Sequence, residues 1–188
     1  SCAGVELAEA VLTETGFDLD RAWMVVDENG EFVTQRELPR MALIRPQIKW
    51  DQVILRAPGM LPLHLQVDTV EEPNRVRIWG EELPAYDMGA VAAQWFSDFL
   101  GRPLRLARFD PEQRRLPSRE WTGGAEALNQ FSDGYPLLVA SAGSLALLNE
   151  KLAARGHAPV GMERFRPNIV VAGLEAHDED RAALLRIA

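Results

Sequence analysis

This 188-residue chain has a single cysteine, Cys2, and only two lysines, Lys49 and Lys151. One thiol excludes an intrachain disulfide and any Cys-x-x-Cys zinc or redox site. Three histidines, His64, His157 and His177, show no metal-ligand spacing and read as structural or solvated side chains. No apolar run approaches the roughly 18 residues of a membrane span. No charged-then-apolar leader is visible either, although Ser1 in place of Met is compatible with a start that was trimmed or left out. The nucleophile elbow, the P-loop and the GxGxxG fingerprint are all missing. These absences point to a cytoplasmic protein without a membrane anchor.

What is present is arginine. With two lysines, 18 of the 20 basic residues are arginine, inside a chain of net charge −8. The acidic balance argues against nucleic acid as a partner, because nonspecific binding to it needs basic surface. The arginines still supply many planar, bidentate donors for compact anions. At 47% hydrophobic, the chain can bury one good core or two small ones.

The first half reads as mostly β. Two strand-like runs flank Asn29-Gly30, the strongest short hairpin signal because both residues tolerate positive φ. Short strands follow at 41–48, 53–56, 63–69 and 75–79, punctuated by Pro58-Gly59 and Pro73-Asn74 and closed by Gly80. This spacing predicts an antiparallel barrel or sandwich. The period then changes: Met88, Val91, Ala92, Trp95, Phe96, Phe99 and Leu100 share one helical face, with Asp87 as N-cap and Gly101 as the terminating residue. That stripe reads as core. Residues 104–108 alternate again as a strand.

Residues 109–131 carry Pro111, Pro117, Gly123 and Gly124 with little periodicity, and read as a long loop containing a domain junction. A buried strand at 136–140 precedes a helix capped by Ser141 or Ser144, whose Leu145, Leu148, Asn149 and Leu152 share a face and which Gly156 ends. A last strand spans 169–172. Asp178, Glu179 and Asp180 suit the start of a terminal helix. The fold class is therefore mainly β with α (α+β).

The corner before the last strand is chemically suggestive. Arg164 and Arg166 flank Phe165, Pro167 holds the backbone, and Asn168 opens an apolar run. Proline aims its neighbours, and paired guanidinium groups suit phosphate or carboxylate. An ordinary surface pair ahead of a core strand has the same local pattern. Arg21, Arg36, Arg40 and Arg45 recur near other strand ends, and together with this corner they would form an anion pocket if the fold brought them together.

Six ordered segments carry a resemblance. Ser1-Cys2-Ala-Gly-Val, Asp18-Leu-Asp-Arg21-Ala-Trp23, Thr34-Gln-Arg36-Glu-Leu-Pro39-Arg40 and Phe99-Leu-Gly-Arg-Pro-Leu resemble the N-terminal β-barrel of MOSC proteins. Ser132-Asp-Gly-Tyr-Pro136-Leu-Leu and Arg164-Phe-Arg-Pro-Asn168 resemble the opening of the MOSC domain. The chain is similar in this respect to the amidoxime-reducing MOSC oxidoreductases of mitochondria and bacteria. The resemblance implies a MOSC N-terminal β-barrel domain over 1–110 and an incomplete N-terminal part of a MOSC domain over 111–188. It implies a molybdenum cofactor (molybdopterin) held at its phosphate and pterin by Ser1, Arg21, Arg166 and Asn168. Ser141 and Ser144 would add hydroxyl donors at a helix N-terminus. Arg36 and Arg40 are weaker candidates, equally suited to pairing carboxylates within the barrel.

The departure from the family pattern matters too. The family's molybdenum-ligating cysteine has no counterpart in these 188 residues, and Cys2 belongs to a different motif, so no metal ligand and no catalytic residue is assigned. The expectation is a parent oxidoreductase that reduces N-hydroxylated small molecules, with an electron-donor protein or a C-terminal ferredoxin-like domain as partner. The piece alone is expected to be inactive and not to retain the cofactor. Alternatives are a non-catalytic anion- or pterin-binding module, or a sulfur carrier working through Cys2. Apolar strands at 136–140 and 169–172 would be exposed or borrowed from a neighbour, which predicts homodimerisation or limited stability.

Overall fold

The structure is a computed structural model that describes residues 2–69, 72–117, 119–122, 126–183 and 186. It divides into two compact units, 1–136 and 137–188. The fold is mainly β with helices added, as the residue patterns predict.

The first unit opens with a minimal hairpin, β1 (Leu12–Thr13) and β2 (Gly16–Phe17). β3 (Trp23–Val26) follows, and its apolar residues alternate between two cores: Met24 and Val26 enter one, while Val25 enters the other. The chain then turns at 27–30. The Asp27 carboxylate accepts the amides of Asn29 at 2.8 Å and Glu31 at 3.0 Å, and Gly30 adopts φ +77°. Asn29-Gly30 thus makes its predicted turn, but the returning leg forms bridges rather than a full strand.

Residues 39–43 differ from expectation. Pro39 starts a 3-10 turn, Pro39–Leu43, that drops Met41 into the core with no exposed surface, so the strand β4 (Arg45–Lys49) begins later than predicted. Proline's fixed φ favours the turn, and burial of Met41 stabilises it. β4, β5 (Gln52–Arg56) and β6 (Leu63–Gln66) form an antiparallel three-stranded sheet.

β7 (Glu72–Ile78) and β8 (Glu81–Asp87) make a second hairpin. Trp79 and Gly80 both take positive φ, +52° and +82°, at its two-residue turn. That is the twist a tight antiparallel hairpin requires. β9 (Arg105–Phe109) inserts between β8 and β3, giving the order β3-β9-β8-β7. The segment after the 27–30 turn then closes the ring: Val26 bridges Phe32 on one side, and Glu31 bridges Arg77 on the other. Phe32 donates to the Arg77 carbonyl at 3.0 Å and Arg77 to the Gly30 carbonyl at 2.8 Å. Met24, Val26, Val76, Ile78, Leu83, Ala85, Ala107 and Phe109 fill the interior of this small barrel.

The helix α1 (Gly89–Leu100) covers the other face of β3 and β9. Ala92, Trp95, Phe96, Phe99 and Leu100 are buried as its period predicts, whereas Val91 is 75% exposed. The stripe is therefore narrower than its sequence pattern suggested. Gly101 ends the helix at φ +79°.

A long connection follows β9. It contains a short helix, α2 (Arg119–Thr122), and stays within the first unit up to residue 136. The second unit is a parallel β-α-β element: β10 (Val139–Ser141), α3 (Ala142–Ala154) and β11 (Ile169–Val171), with Val139 opposite Ile169 and Ser141 opposite Val171. Ser141 is the single buried residue among its described residues. Leu138 and Val170 are about half exposed. The predicted terminal helix at 178–180 is a single 3-10 turn, Glu179–Arg181.

Candidate functional site

The residues that the resemblance points to fall on both units, and each group has its own local logic. Ser1 lies outside the described residues. Arg21 stands two residues before β3, with its backbone in the left-handed region at φ +55° and its carbonyl accepting the Phe131 amide at 3.1 Å. Its Nε reaches the Asp20 carboxylate at 3.4 Å. Arg36 is exposed. Arg40 stacks its guanidinium 4.6 Å from the centroid of the Phe99 ring, a cation–π contact rather than a barrel ion pair.

In the second unit, Arg166 also adopts φ +55°. Two residues on, Asn168 is doubly tied to Leu138: its amide donates to the Leu138 carbonyl at 2.8 Å, and its side-chain oxygen accepts the Leu138 amide at 3.0 Å. Asn168 therefore aligns the start of the parallel ladder.

Ser141 and Ser144 lie at the other end of the same ladder. Leu138 directly precedes β10 and Ser141 ends it, a separation of roughly 10 Å at the usual strand rise. The Ser141 hydroxyl accepts the amides of Gly143 at 3.1 Å and Ser144 at 3.3 Å, capping α3. The Ser144 hydroxyl donates to the Glu179 carboxylate and accepts the His177 amide at 2.9 Å. The Ser144 hydrogen bond, opposed by burial, holds the Glu179 carboxyl below its usual range. The ladder brings Ser141 together with Ser144, and Arg166 together with Asn168, but it sets the two pairs at opposite ends.

A second polar cluster, absent from the sequence reading, lies in the connection after β9. Arg115 is 7% exposed; its Nη1 donates to the carbonyls of Gln130 and Ser132, both at 2.7 Å, and its Nε to Glu81 at 2.9 Å. Asn129, 2% exposed, donates to the Gly134 carbonyl at 2.9 Å and accepts the Ser132 hydroxyl at 2.9 Å. Together they border a cavity of about 370 Å³. The Arg114-Arg115 pair ahead of Leu116-Pro117 was a visible signal; nothing local marks Asn129 as buried.

Among the histidines, His64 pairs through Nδ1 with Gln52 at 2.8 Å, and His177 lies 3.5 Å from Asp180. Cys2 packs partly buried against the core that contains α1.

A small closed barrel with an added sheet and helix, followed in the chain by a parallel β-α-β element, defines an α+β protein. Residues 1–103 match the family described as the MOSC N-terminal beta barrel domain, and residues 127–188 match the MOSC domain. The chain belongs to the MOSC family. It is similar to mitochondrial amidoxime reducing component 2 of Rattus norvegicus, at 33% identity over 96% of this chain and 55% of that protein. Mitochondrial amidoxime-reducing component 1 of Homo sapiens is 34% identical over the same shares, 96% and 55%. Molybdenum cofactor sulfurase of Homo sapiens is 26% identical over 96% of this chain and 22% of its own length. The chain thus spans about half the length of the amidoxime-reducing relatives it matches. No helix among the described residues is long and apolar enough to cross a membrane.

Proposed function

We propose that this chain is the cofactor-anchoring portion of a MOSC oxidoreductase that reduces N-hydroxylated compounds, with Arg21, Arg166 and Asn168 holding the phosphate and pterin of a molybdenum cofactor. The observation that carries this reading is conformational. Among the described residues, six other than glycine take positive φ, and Arg21 and Arg166 are two of them, both at +55°. Left-handed backbone at a long side chain is retained where surrounding structure demands it, and such residues cluster at ligand sites. Two guanidinium groups and a fixed carboxamide are the donor set that an oxyanion and a heterocycle edge need.

The guanidinium groups and the carboxamide fit the anionic and heterocyclic parts of the group, and none of them is a soft ligand for its metal. Cys2, the one thiol of these 188 residues, packs partly buried against the core that contains α1. When bound, the cofactor supplies two-electron redox chemistry, while the protein supplies binding, orientation and electrostatics. In this reading turnover needs a thiolate ligand that these 188 residues do not supply at the family position, together with an electron donor and a small-molecule substrate. Asn168 aligns β10 and β11, and Ser141 and Ser144 keep α3 capped. A cytoplasmic setting, with no nucleic-acid partner, belongs to the same reading.

The test is calorimetric titration of the chain with inorganic phosphate and with a phosphorylated pterin. Arg21→Ala and Arg166→Ala are expected to weaken binding at least tenfold, on the order of one charge-assisted contact each. Arg75→Ala, an exposed arginine paired with Glu82, should leave it unchanged. Equal binding by all three variants would remove the assignment.

A further inference from the structure

The cavity beside Arg115 belongs to the first unit alone and uses none of the residues assigned to the cofactor. Its walls combine three kinds of group. Arg115 supplies a buried guanidinium, Glu81 and Asp133 supply carboxylates, and Leu116, Pro117 and Tyr135 supply apolar or aromatic surface. At about 370 Å³ it lies in the range of small-molecule sites.

The guanidinium is only partly used. Its Nε and Nη1 donate to Glu81 and to the carbonyls of Gln130 and Ser132, while Nη2 has no hydrogen-bond partner among the described residues. Nη2 is not shut off from solvent, so an acceptor oxygen or nitrogen arriving there gains a charge-assisted hydrogen bond in exchange for water. The carboxylates set the opposite requirement. Asp133 accepts the Trp79 indole N–H through Oδ1 at 3.2 Å, and Glu81 accepts Arg115 through Oε2. The second oxygen of each has no protein donor among the described residues, so each offers an acceptor position to an incoming N–H.

Charge then selects among ligands. Arg115 is already neutralised by Glu81, and Asp133 adds a further negative charge, so the lining repels phosphate and carboxylate despite its arginine. A neutral group that places an acceptor beside an NH2 donor satisfies both requirements at once. We propose that this cavity is a binding site for a small carboxamide-type molecule, with its acceptor on Arg115 Nη2, its NH2 on Asp133, and its flat face against Tyr135.

The experiment is ligand-observed NMR titration of the full chain with benzamide, with benzoate and inorganic phosphate as competitors. Saturable binding of benzamide is expected, undisturbed by either anion. Asp133→Ala removes an exposed carboxylate and should weaken binding about tenfold, the loss of one charge-assisted hydrogen bond. Arg115→Lys retains charge but not the fork, and should also weaken binding; circular dichroism establishes that this variant is folded, and if it is not, Asp133→Ala decides alone. Absence of saturable benzamide binding, unchanged affinity in Asp133→Ala, or equal competition by benzoate would each overturn the proposal.

Discussion

Arg105 grips Asp87 through two hydrogen bonds, Nε to Oδ2 at 2.5 Å and Nη2 to Oδ1 at 2.7 Å, where β8 gives way to α1. The same Oδ1 accepts the Gly89 amide at 2.7 Å, so one carboxylate ties a barrel strand to the first turn of the helix. Burial alone would raise the Asp87 pKa; the Arg105 and Gly89 hydrogen bonds outweigh it and hold the carboxyl below its ordinary value.

Asp87→Asn should therefore destabilise the first unit by about 2 kcal/mol near pH 7, the scale of a charge-assisted hydrogen bond plus part of a cap. Because the folded pKa is depressed, this contribution is present above the unfolded value of about 4 and is lost as pH falls through the folded one. Urea unfolding of both proteins at neutral and acid pH should show the gap between them closing in acid. A gap independent of pH would remove the electrostatic explanation.

Gly30 closes the barrel. A Cβ there would lie 2.8 Å from the Arg75 carbonyl, and its φ is +77°. Gly30→Ala should cost about 2–3 kcal/mol, combining left-handed strain of roughly 1 kcal/mol with displacement of the β7 backbone. Gly59 has the same φ with open space around it, so Gly59→Ala should show the strain alone. Comparable losses for both would mean that the close approach to β7 is unimportant.

Arg115 organises the connection between β9 and the end of the first unit. Arg115→Met should cost about 2–4 kcal/mol, because the Gln130 and Ser132 carbonyls lose their shared buried donor. Limited proteolysis should show new cleavage between 111 and 135. An unchanged digestion pattern would count against this anchoring role.

Ser141→Ala should destabilise the second unit by about 1 kcal/mol, the usual effect of removing an N-cap. Hydrogen exchange at Gly143 and Ser144 is the direct measure, and both amides should lose protection. Protection equal to that of the unaltered chain would show that the hydroxyl is not the cap.

Elements with a strong local signature were legible before the structure. The α1 stripe, its Gly101 terminator, the turn at Gly30 and the strand-helix-strand order of the second unit all rest on periodicity or on residues with special φ. β8 was not legible, because Pro84 and the paired Glu81 and Glu82 obscure its alternation, while its pairing with β7 and β9 is non-local. The exposure of Val91 escaped for the same reason: the width of a buried stripe depends on what the helix packs against.

The amino-acid sequence by itself determined the α+β class and the family, since these depend on residue type, order and spacing. The tertiary structure alone decided the rest. It closed the barrel through bridges 31–77 and 26–32, and it buried Arg115 inside a connection that had looked loose. It also set Ser141 and Asn168 at opposite ends of one parallel ladder. The physical reason is that strand pairing and burial join residues far apart in the chain, and no local pattern encodes which distant carbonyl a given guanidinium will meet.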